Sequence, residues 1–171
     1  MAFNNMSELN LYVNKVMEAM IKEVSRAILE ELKNIINEHI YSAPPGEKYE
    51  RHPGKGGFKE AFELDEVKAV LNMVSVSLVY NWQTMISPMS GDNGGYTHGY
   101  NGTYTDRRKD LWWILDSEYA NKQHSEVGGA IGVDGSSAGY MEEFSAWLFG
   151  VGGGATSLIN SICRKYGLVR R

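Results

Sequence analysis

The sequence predicts an α+β fold: a long N-terminal helix packed on an antiparallel sheet, with Gly/Tyr-rich loops and C-terminal helices. Three observations carry this. Apolar residues recur every three to four positions before Pro44, every two between Val67 and Tyr80, and again at helical spacing from Tyr140 to Tyr166. A chain of 171 residues, 43% hydrophobic and 22% charged, is long enough for a hydrophobic core and is expected to form a single domain over 1–171.

The first helix is expected over 7–39, with Ser7 as its N-cap. Leu9, Val13, Val16, Met17, Met20, Val24, Ala27, Ile28, Leu32, Ile35 and Ile36 form its apolar stripe. At about 1.5 Å per residue it reaches roughly 45–50 Å. A domain of this size cannot easily cover such a length. Either the helix kinks or part of its stripe meets another chain; the alternative is a helix wrapped by its own sheet. Pro44-Pro45-Gly46 ends it, because proline lacks a donor and pushes Ala43 out of helical angles.

Residues 44–57 read as a loop, and Phe58 to Phe62 as a turn of helix or a strand start. In the strand region, 67–80, Val74, Val76, Leu78 and Tyr80 share one face. Val67, Ala69, Leu71 and Met73 alternate in the opposite register. A turn or bulge near Asn72 reconciles them, giving two strands or one bent strand.

Residues 87–104 form a long loop in which Tyr96, Tyr100 and Tyr104 interleave with glycines. Glycine maximises the entropy of a free loop, while tyrosine supplies contact area, so the loop is expected to order on assembly. Asp106 caps a helix over 107–119, with Trp112 facing in and Trp113 out. The C-terminal helices, 140–166, are divided by Gly150-Val151-Gly152-Gly153-Gly154, and Gly167 is suited to the C′ position.

Chemistry-bearing motifs are sparse. Gly150 to Ala155 matches a dinucleotide-binding glycine pattern in letters, but it follows a helix and leaves no room for a βαβ unit. Gly54-Lys55 lacks the rest of a phosphate loop. His39, His52, His98 and His124 have no zinc-motif spacing, and Cys163 is the sole cysteine, read as a small buried hydrophobe. Glu60, Glu63, Asp65 and Glu66 read as a solvated face. Trp112, Trp113 and Trp147 lie at core spacing on helices, and an exposed Trp113 would mark an interface. No catalytic, cofactor or metal residue is expected. Net charge of −4 argues against sequence-independent nucleic-acid binding. The first residues show no cationic and apolar leader pattern, and no run of apolar residues is long enough for a membrane span.

Five features together resemble small ring-forming proteins of tailed bacteriophages, of the head–tail joining and tail-completion type. They are the long first helix, Tyr49-Glu50-Arg51 followed by Gly56-Gly57-Phe58, the alternating Val74–Tyr80 run, the Gly/Tyr-rich insertion, and the helix start at Asp106-Arg107-Arg108-Lys109-Asp110-Leu111. The ending Arg164-Lys165-Tyr166-Gly167-Leu168 is also similar. Where that family carries a Thr-Gly-x-Leu type of step, this chain has Gly56-Gly57-Phe58-Lys59. The resemblance implies a non-enzymatic virion subunit at the neck or tail end, made in the host cytoplasm. It implies a homo-oligomeric ring contacting other head, neck or tail proteins, with DNA passing through without sequence-specific binding. Tyr96, Tyr100, Tyr104, Trp113, Arg170 and Arg171 are the candidate interface residues. The rival readings are a small hydrolase, built on a cluster such as His98, His124 and Asp106, and a carbohydrate- or nucleic-acid-binding module using exposed aromatics.

Overall fold

Helix α1 spans Met6–Ile36 and continues as a π-helical turn, Asn37–Tyr41. Its cap is Asn5 and not Ser7: Asn5 Oδ1 accepts from the Glu8 backbone N–H at 2.9 Å, and Glu8 Oε2 reaches back to accept from Asn4 N–H at 3.0 Å. The Glu8 N–H, a donor that the first turn leaves unpaired, is thereby satisfied, and the Glu8 carboxylate holds the residue before the cap, much as in a capping box. Ser7 falls inside the helix because the asparagine two residues earlier takes the capping role.

These coordinates come from a computed structural model that describes residues 3–41, 55–70, 73–85, 112 and 139–168. A 3₁₀ turn, Phe58–Ala61, leads directly into strand β1, Phe62–Leu64. Both readings of that segment therefore hold, one after the other. Strands β2 (Lys68–Val70), β3 (Met73–Ser75) and β4 (Leu78–Tyr80) follow, then a 3₁₀ turn at Trp82–Thr84. Helices α2 (Tyr140–Phe149) and α3 (Gly154–Lys165) close the described chain. The fold is α+β, with a long N-terminal helix, small antiparallel sheets and C-terminal helices.

The strand region folds back between Val70 and Met73, which are register partners, as are Lys68 and Ser75. Ala69 pairs with Val74, so this fold-back brings the two opposite alternations onto one face, as a turn near Asn72 requires. β1 pairs with β4, flanked by Asn81 N–H to Ala61 O at 2.7 Å and Asp65 N–H to Ser77 O at 2.9 Å. Between the two ladders, residues 65–67 face residues 76–77, so one strand carries an extra residue. That is the signature of a β-bulge. On the facing strand, burial alternates from Met73 to Ser77, after which Leu78 is exposed and Val79 half-buried. The sequence places Leu78 on the face of Val74, yet Val74 is half-buried and Leu78 exposed.

The chain divides into two compact units. One comprises Met1–Glu30, Leu64–Val79 and Ser145–Arg171, and the other Glu31–Glu63 and Tyr80–Phe144. The second holds most of the buried apolar residues: Leu32, Ile35, Ile36 and Ile40 from the helix, Phe58, Ala61 and Phe62, then Met85, Tyr140 and Phe144. Phe58 is its hub, with ring centroids 5.3 Å from Phe62, 5.8 Å from Tyr80 and 5.8 Å from Tyr140. The 83–89° edge-on angles to Tyr140 and Phe62 set positive ring edges against negative faces. Gly56, at φ +87°, makes the turn that delivers Phe58 into this cluster. Lys33 Nζ meets Glu60 Oε2 at 2.8 Å, which ties the helix to the 3₁₀ turn beside it.

In the first unit, buried residues are few: Val24, Ser25, Ala155 and Ile162. Helix α3 ends in a Schellman motif. Gly167, at φ +75°, lets Leu168 N–H reach Cys163 O at 2.8 Å while its own N–H reaches Arg164 O at 3.0 Å. Cys163 itself is half-buried, not buried as its spacing implies. At the start of α3, a Cβ on Gly154 would overlap the Trp147 indole.

Two stability outcomes follow from this packing. Val24→Asp puts a charge at a buried position and lowers unfolding free energy by about 2–4 kcal/mol, whereas Val13→Asp, at an exposed position of the same stripe, changes the stability of the single chain by less than about 0.5 kcal/mol. Urea unfolding measures both. Gly154→Ala is destabilising by about 1–2 kcal/mol, because overlap with Trp147 outweighs the gain in helix propensity. An increase in melting temperature for Gly154→Ala would show that the indole moves aside without cost.

Candidate functional site: an exposed apolar surface

The six interface residues expected from sequence, Tyr96, Tyr100, Tyr104, Trp113, Arg170 and Arg171, lie outside the described residues, as do the 87–104 loop, His52, His98 and His124. Trp112 is described. It is exposed rather than inward-facing, and its carbonyl oxygen accepts a hydrogen bond from the Tyr140 hydroxyl.

What the described residues present instead is an apolar surface on α1, whose covering by its own sheet or by another chain the sequence left open. The apolar stripe of α1 is buried only in its C-terminal half. Met6 is 69% exposed, Val13 45% and Met17 40%, whereas Leu32, Ile35 and Ile36 are at or below 3%. Beside the stripe, the Phe3 and Tyr12 rings lie 5.3 Å apart. Elsewhere in the same unit, Met73, Leu78, Ile159 and Leu168 are exposed. Phe149, at 80%, and Val151, fully exposed, stand at the turn between α2 and α3. Gly152, at φ +74°, permits that turn, and the chain from Phe144 to Cys163 carries no Asp, Glu, Lys or Arg. Scattered exposed apolar side chains are ordinary; so many within one compact unit, with so few buried ones, are not.

The boundary of the exposed stripe has a specific cause. Glu23 receives Lys165 Nζ at 2.7 and 2.8 Å and the Tyr166 hydroxyl at 3.2 Å. From there onward Val24 and Ser25 are buried. The Glu23 carboxyl is held below its ordinary value by the Lys165 hydrogen bond, against an opposing effect of burial, with Tyr166 helping. Lys165 is raised by the same bond.

Polar groups elsewhere in the described structure are engaged in pairs and not gathered. His39 Nε2 and Glu143 Oε2 are 2.5 Å apart. Lys59 donates to Asn37 Oδ1 at 3.0 Å and stands 5.6 Å from the centre of the Tyr41 ring. The acidic run read as a solvated face is only partly so. Asp65 and Glu66 are exposed, but Glu60 and Glu63 are half-buried, Glu60 against Lys33 and Glu63 accepting from Asn81 Nδ2 at 2.7 Å. The 3₁₀ turn and strand β1 carry these two side chains toward partners that spacing alone does not reveal. Among the described residues no group of three or more His, Cys, Asp or Glu side chains is placed to hold a metal ion. None of the described helices is long and apolar enough to cross a membrane.

Comparison of the chain with family models, curated proteins and solved structures found no match in any of the three.

The Glu23–Lys165 pair predicts a pH window. A carboxyl held below 4.5 contributes stability above that pH and loses it as pH falls through its folded value. An ammonium raised above 10.5 contributes below that pH and loses it as pH rises through its folded value. The pair therefore acts between these limits, and salt weakens it because both groups face water. Glu23→Gln should flatten the acid and alkaline edges of the stability–pH curve, measured by urea unfolding across pH; identical curves would show that the pair contributes nothing.

Proposed function

We propose that this chain is a non-enzymatic structural subunit of a tailed-bacteriophage virion, a ring-forming neck or tail-completion component that joins head and tail. The observation that carries the assembly part of this reading is the uneven distribution of apolar surface. Among the described residues, one unit buries most of its large apolar side chains, Trp112 excepted. The other keeps Met6, Val13, Met17, Met73, Leu78, Phe149, Val151 and Ile159 in contact with water. Surfaces of this kind are characteristic of chains that meet neighbours, since burying apolar area at about 25 cal/mol per Å² drives association. The phage part rests on the resemblance in Tyr49-Glu50-Arg51, Gly56-Gly57-Phe58 and the order of elements. In the proposed particle the subunit contacts copies of itself and other virion proteins, and DNA passes through the ring.

Phe58 would then have a structural role at the centre of a rigid aromatic cluster, and the exposed unit would supply contact surface. The experiment is electron microscopy of the purified protein with light-scattering mass. Rings whose mass is a multiple of the 19.1 kDa chain are expected. A monomer at every concentration would overturn the reading.

A second outcome separates this reading from an enzyme. His98→Ala, His124→Ala and Cys163→Ser should each retain virion yield and intact head–tail joints when they complement a phage lacking this protein. Particles that are normal by microscopy but not infectious would instead assign a chemical role to the substituted residue.

A further inference from the structure

The exposed part of the α1 stripe has a second property beyond being apolar. Met6, Leu9, Val13, Val16 and Met20 follow one another at alternating steps of three and four. That is the spacing of a coiled-coil seam, at which one helix inserts its side chains between those of another. The flanking positions are also uncharged: Asn10 and Met17 on one side, Tyr12 and Ala19 on the other. The charged residues of this stretch, Glu8, Lys15 and Glu18, all fall on the remaining faces. Met6, Val13 and Met17 are exposed, while Leu9, Val16 and Met20 are half-buried. The seam ends where the next seam position is Glu23, the residue held by Lys165 and Tyr166. Among the described residues, burial of the stripe begins at Val24, and the seam before it is covered only in part.

We infer that the Met6–Met20 face of α1 pairs with the same face of a second copy of this chain. This inference rests on the assembly reading above and names the surface responsible for one subunit contact. Two features select a copy of the chain as occupant. A period-3.5 seam fits another helix better than a sheet or an extended peptide, because knobs need holes at matching intervals. And charged flanks, which normally set partner choice in paired helices, are missing, so nothing on this face repels an identical one. The seam is about 22 Å long at about 1.5 Å per residue, shorter than most interfaces of stable complexes require. The helix pair is therefore one contact among several in the assembly and not its whole interface.

The test uses full-length protein. Val13→Lys places a charge in the middle of the seam, and Leu11→Lys places one on the opposite, already exposed face. Val13→Lys should lower the mass of the assembly in solution, and Leu11→Lys should leave it unchanged, with both variants keeping the helical circular dichroism of the parent. Independently, in a Cys163→Ser background, Val13→Cys should form a disulfide-linked dimer under mild oxidation and Leu11→Cys should not. Val13 is near the seam centre, so this result holds for parallel and antiparallel pairing. If the parent forms rings but Val13→Lys keeps the same mass and Val13→Cys does not cross-link, the helix face is covered by something else. The inference then fails while the assembly reading stands. A monomeric parent protein overturns both.

Discussion

An amphipathic helix of 31 residues has to bury an apolar stripe along its whole length, and the described residues fully bury only part of it. Leu32, Ile35, Ile36 and Ile40 are taken into the core of one unit, each worth about 1.5–3 kcal/mol when removed from water. The aromatic cluster around Phe58 belongs to the same core, as do Tyr140 and Phe144 from the start of α2. Toward the N-terminus the helix is held by fewer groups: Val24 and Ser25 are buried, and Glu23 is bound to Lys165. Beyond that point Leu9, Val16 and Met20 are half-buried and Met6, Val13 and Met17 are exposed.

This gradient along one helix links local structure to the proposed role. A helix in isolation is marginal, and packing of its apolar face provides most of its stability. The Asn5–Glu8 cap and the continuous α-helical run keep the N-terminal half helical, yet they do nothing for its exposed methionines and valines. A partner that covers them would gain area at little cost in ordering, because the backbone is already fixed. Preorganised apolar surface of this kind suits a subunit whose work is to hold position between neighbours.

The elements at the other end of the chain have the same character. The α2–α3 turn is set by close glycine packing: Gly154 admits the Trp147 indole and Gly152 takes a positive φ. Phe149 and Val151, at the same turn, are exposed to water.

Much of the fold was legible in the residues. The three-to-four period of α1, the glycines between α2 and α3, Gly167 at the C′ position and the alternation of Met73 to Ser77 all depend on local steric and hydrogen-bonding rules that the sequence carries in full. The cap expected at Ser7 is instead Asn5, whose side chain accepts from the Glu8 N–H. Tertiary structure decided the rest. The bulge between 65–67 and 76–77 depends on how two ladders pair, which the spacing within either strand does not reveal. Glu60 and Glu63 found partners distant in sequence, Lys33 and Asn81, which no spacing rule connects. Which half of the α1 stripe is buried was likewise invisible, because periodicity reports that a face is apolar and not whether the chain has enough other surface to cover it. That depends on long-range packing, and it is the feature from which the proposed function of this protein follows.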